Sequence, residues 1–148
     1  MTDTTSSLKN PFWFAVAINF VWINISEVVR YFLVVKPMLH AAFPNASGIG
    51  AVTPGIFASW MVWDSILILA ACGFYWLYLR AGGYGLKQVI WAATYFTITV
   101  FGLIWLGIVN MGLAPPQFIW AALPLAWGEQ MIAAFIVRWV LVRSAQPG

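Results

Sequence analysis

The chain has 148 residues, 63% hydrophobic and 7% charged, with seven basic and four acidic side chains and a net charge of +3. An ordinary soluble domain is about 25% charged, so this composition places the chain in the membrane class. The basic residues are scattered singly and give no nucleic-acid signal, and the single cysteine, Cys72, excludes an internal disulfide or a Cys-x-x-Cys centre. A single histidine, His40, rules out a bis-histidine haem within one chain. With no nucleophile–base pair or metal-ligand spacing in view, no catalytic residue, metal or cofactor is expected.

In chain order, residues 1–11 read as a polar cytoplasmic tail without the basic, apolar and cleavage regions of a signal peptide. Residues 12–148 read as a single four-helix membrane domain. Its apolar segments lie at about 12–35, 56–79, 89–111 and 118–142, each of roughly 23 to 25 residues against the ~20 that cross a bilayer. The long connection "KPMLHAAFPNASGIGAVTPG" is rich in proline and glycine, while "RAGGYGLKQ" and "GLAPPQ" are short. Short connections make neighbouring helices antiparallel. The expected fold is therefore all-α and integral to the membrane, an up-down bundle of four transmembrane helices.

Lys9, Arg80, Lys87, Arg138 and Arg143 gather on the side of the termini and Lys36 on the other. The positive-inside rule then puts both termini in the cytoplasm, with the bacterial inner (plasma) membrane as the expected location. "GGYGLK" lacks the Gly-Lys-Ser/Thr of a phosphate loop and reads as a turn, and "NAS" at Asn45 would face outward.

The informative stretch is "WINISEVVRYFLVV", which sets Glu27 and Arg30 inside the first apolar run. Each charge at membrane depth costs at least about 2.5 kcal/mol, so both must be paired, solvated or functional. As i,i+3 neighbours they can bond each other. At 100° per residue, Asn24 falls about 60° and Tyr31 about 40° from Glu27 on one side, with Arg30 about 60° away on the other. They form one polar face. A rise of 1.5 Å per residue puts Glu27 and Asp64 roughly 12 Å, and Glu129 roughly 16 Å, from the outer helix ends.

Three acids could thus meet at one level, where one arginine cannot neutralise all three. The surplus must be protonated, reached by water or matched by a bound cation. Most of the ten tryptophans suit an interfacial belt, Trp60 and Trp120 at the outer ends among them. Trp63, Trp105 and Trp127 lie deeper, at the level of the acids, where aromatic faces beside carboxylates suit an organic cation. The plainer alternative has these indoles filling space between helices. Pro124 should kink the fourth helix five residues before Glu129.

The expected function is an intramembrane acidic cavity in the outer half that binds or transports a cation or small molecule, with proton coupling in view. Its candidate residues are Glu27, Arg30, Asp64, Glu129, Asn24, Tyr31, Trp63, Trp105 and Trp127. The alternative is an accessory subunit in which Arg30 closes a buried ion network, and a membrane enzyme acting on a lipid-like substrate comes third. The expected partners are the lipid bilayer and either further copies of the chain or a larger membrane complex.

Overall fold

The computed structural model describes residues 10–48 and 50–145, so the expected tail, apart from Asn10 and Pro11, lies outside the described residues, as does Lys9. All regular structure among the described residues is helical: α1 (Pro11–Ala42), α2 (Pro54–Gly82), α3 (Leu86–Asn110) and α4 (Gln117–Ser144). Each is long and apolar enough to cross a membrane, at 32, 29, 25 and 28 residues. Those lengths correspond to roughly 38 to 48 Å.

The ends follow local chemistry. Thr53 accepts a hydrogen bond from the Ile56 backbone N–H at 3.3 Å, and Pro54 occupies the first helical position, where its missing N–H costs nothing. After α2, Gly83 takes φ +91°, a conformation that only glycine adopts without strain.

One expectation needs correction. The first apolar run ends at Val35, and the segment from Lys36 was read as a loop, yet α1 continues through Lys36–Ala42. The chain accommodates Pro37 by widening the preceding turn. Tyr31–Val35 is π-helical, and the Lys36 N–H reaches back five residues to the Tyr31 carbonyl. A proline in a regular helix would press on the carbonyl four residues earlier, and a π turn relieves that contact. A second π turn, Thr97–Gly102, interrupts α3 where no proline marks it.

Helix α4 packs against all three others, and α2 packs against α1 and α3. The tightest part of the core is built from small side chains. Ala15, Ala71, Ala92, Ala93, Ala133 and Ala134 are fully buried, which lets helix backbones approach closely. Aromatic rings close this end: Phe12 and Phe14 meet Trp76 and Trp139 at centroid distances of 5.5 and 6.3 Å. At the other end Tyr31 packs edge-on against Trp60 at 4.8 Å, and Trp105 lies 6.3 Å from Phe118. Outward faces are apolar throughout, with Leu33 72%, Leu77 70% and Trp120 81% exposed.

Candidate functional site

Asn24, Glu27, Val28 and Tyr31 stand at positions i, i+3, i+4 and i+7, which places them on one face of α1. Phe57, Trp60, Met61 and Asp64 do the same on α2. The two stripes line a cavity of about 340 Å³, with Trp63 at its edge. Beyond the α1 stripe lies a second cavity of about 210 Å³ among α1, α3 and α4, walled in part by Arg30, Phe101, Trp105 and Phe118. Glu27 and Tyr31 line both cavities.

Arg30 holds two of the three acids. Its guanidinium bonds the Glu27 carboxylate one turn back along α1. Its Nη1 stands 3.5 Å from Glu129 Oε2, an ion pair between α1 and α4. Glu129 is 3% exposed, and its Oε2 accepts no hydrogen bond among the described residues, so the guanidinium is its compensation. The other oxygen, Oε1, accepts from Gln130 Nε2 at 3.4 Å, and the Tyr75 hydroxyl donates to Gln130 Oε1 at 2.8 Å. Trp22 Nε1 donates to the Glu129 backbone carbonyl at 3.1 Å. Glu129 is thereby tied to α1 directly and to α2 through Gln130.

Asp64 differs. It enters no ion pair among the described residues and faces the larger cavity. With Arg30 shared between Glu27 and Glu129, the uncompensated negative charge falls in that cavity.

The remaining expected residues divide. Asn24 lines the larger cavity while its Nδ2 donates to the Phe20 carbonyl at 2.8 Å. The Tyr31 hydroxyl donates to the Gly50 carbonyl at 2.6 Å, fastening the long connection to α1. Gly50 has φ +68°, and a Cβ there would stand 3.2 Å from that hydroxyl oxygen, so the turn requires glycine. Trp63 lines the larger cavity at 57% exposure and Trp105 the smaller one. Trp127 lines neither of these two cavities, and its indole donates to Thr94 Oγ1 at 2.9 Å on the α3 side. Arg138 donates to the carbonyl of Tyr84, in the short connection between α2 and α3, at 2.6 Å.

Several residues escaped sequence reasoning. Trp60, assigned to the interfacial belt, forms the cavity wall, and its place one turn before Asp64 was the available signal. Gln130 and Tyr75 are fully buried beside Glu129. A glutamine directly following a deep acid was a visible clue, whereas Tyr75 could be found only from its contact. Asn19 is also fully buried, with Nδ2 3.3 Å from Cys72 Sγ and from the Ala133 carbonyl. No family model, curated protein or solved structure matches this chain, so the reading of the site rests on its own residues.

Proposed function

We propose that the chain crosses a bilayer four times in up-down order and binds a cation between Glu27 and Asp64, exchanging it for a proton. Membrane insertion is supported by four long apolar helices whose outward faces expose leucine, isoleucine and tryptophan. The up-down order is supported by contacts between the start of α1 and the final turns of α2 and α4. Arg80, Lys87, Arg138 and Arg143 lie at that same end, which favours a cytoplasmic position for the termini. Glu27 and Asp64 then belong to the outer half.

One observation carries the functional reading. Two carboxylates share a cavity of about 340 Å³ with Tyr31, Trp60 and Trp63, and the neighbouring guanidinium of Arg30 is not part of its wall. A cavity of this size falls within the range of small-molecule sites. Its acids supply charge and its rings supply electron-rich faces for a cation.

Tetramethylammonium binding to the protein in lipid nanodiscs, followed by calorimetry at pH 6 and pH 8, tests the reading. A cation that displaces a proton binds less tightly as pH falls, by up to about tenfold per pH unit for one proton released. Asp64→Asn should remove both the binding and its pH dependence. Binding that ignores this substitution overturns the assignment. Sustained, many-turnover proton efflux from the lumen of proteoliposomes, driven by a cation gradient, separates transport from the single proton that binding alone releases.

A second reading, as a subunit of a larger membrane assembly, draws on one feature. Trp91 and Tyr95 stand 57% and 59% exposed on one face of α3, and Trp127 is fastened beside them through Thr94. Cation binding without transport, together with co-purification of a partner over that face, would favour it.

A further inference from the structure

The smaller cavity has a different character from the larger one. Its wall is mainly apolar, built from residues such as Val35, Phe101, Trp105, Phe118 and Ala122, and its polar patch is Glu27 with Arg30. Irregular backbone borders it on two of its three helices, and the third carries a proline there. The π turn of α1 supplies Tyr31, Val34 and Val35, and the π turn of α3 supplies Phe101. On α4, Pro124 lies between the lining pairs Ala121–Ala122 and Leu125–Ala126. Small side chains stand where larger ones would fill the space. Two π turns and a helix-interior proline meet around one space, which is the arrangement of a site rather than of a chance gap.

We propose that the cation held by Glu27 and Asp64 carries an apolar limb, a ring or short chain, and that this limb occupies the smaller cavity. The proposal rests on the cation reading above and adds the substrate class, an amphiphilic cation. Adjacency supports it, because Glu27 and Tyr31 line both spaces and only these side chains are shared between them. A charged head at these residues therefore stands at the border of the apolar chamber. Size supports it too. A cavity of about 150 Å³ accepts benzene, and this one measures about 210 Å³. Trp105 and Phe118, inclined at 32° to each other, offer flat surfaces to a ring. Arg30 is no obstacle to an uncharged limb, because Glu27 and Glu129 already compensate it.

The test compares tetramethylammonium with 3-phenylpropyltrimethylammonium in nanodiscs, on the wild type and on Ala122→Phe, which puts a ring into the smaller cavity from a position that does not line the larger one. The wild type should bind the phenylpropyl cation at least about tenfold more tightly, from the added apolar burial. Ala122→Phe should lose that advantage while keeping its tetramethylammonium affinity, and equal partitioning into lipid cancels between the two proteins. Ala126→Leu provides a milder filling should Ala122→Phe fail to fold. An unchanged advantage in a folded, filled variant overturns the proposal alone. A lipid that co-purifies with the wild type and is absent from the filled variants also overturns it, because a lipid chain then owns the chamber. If neither cation binds the wild type, the cation reading and this one fall together.

Discussion

The two halves of the bundle are built on different rules. In the half containing Ala15, Ala71, Ala92, Ala93 and Ala134, helices meet through fully buried alanines, and valine, leucine and tyrosine complete a dry core. In the half containing Glu27, Arg30 and Asp64, two helices carry π turns, α4 carries Pro124, and two cavities lie between the helices. Close packing in the first half supplies the cohesion that allows the second to stay open. Charges inside these apolar helices are tolerable there because Arg30 joins α1 to α4 and because a cavity, rather than a packed side chain, faces Asp64.

The sharpest way to break this comparison is Arg30→Met. It strands Glu27 and the buried Glu129, and stability should fall by about 3–5 kcal/mol in equilibrium unfolding. Adding Glu27→Gln and Glu129→Gln should restore most of that loss, and a triple variant no more stable than Arg30→Met would show that the cluster is not a structural unit.

Next comes a direct contrast of the halves. Ala134→Leu, in the packed half, should cost about 1–3 kcal/mol through overpacking. Ala122→Leu, beside the smaller cavity, should be neutral or mildly stabilising. Equal penalties in thermal melts would erase the distinction between the halves. Tyr75→Phe should cost about 1–2 kcal/mol, because it removes the donor to the buried Gln130 Oε1. Restoring apolar complementarity with Gln130→Leu in the same background should return part of it.

The smallest effect should come from Tyr31→Phe. Losing the bond to the Gly50 carbonyl should cost about 0.5–1.5 kcal/mol. Its clearer signature is faster amide hydrogen exchange in the connection between α1 and α2, with the helical core unchanged. Slow exchange there in the variant would mean that the Tyr31–Trp60 packing alone holds the connection.

The four helices were legible in advance because each is a long apolar run with few polar interruptions, bounded by glycine, proline or basic residues. The first boundary was misplaced at Lys36 because Pro37, five residues before the helix end at Ala42, reads as a stop. Only a π turn, which leaves no mark in composition, lets the helix continue. The coupling of Glu27 with Arg30 was visible from their spacing. The reach of Arg30 to Glu129 was not, because it depends on how α1 and α4 are rotated about their axes.

The amino-acid sequence by itself determined the class of molecule, the number of long helices, and the presence of three acids and one arginine within them. Those are local properties, set by transfer free energy and by the 3.6-residue period of a helix. Tertiary structure decided the partners. It brought Arg30 to Glu129 as well as to Glu27, left Asp64 to a cavity, set Trp60 in its wall and turned Trp127 away to Thr94. The reason is geometric: a side chain's direction along its own helix follows from sequence spacing, whereas its neighbour across the bundle follows from helix rotation, kinks and π turns, which only the assembled packing sets.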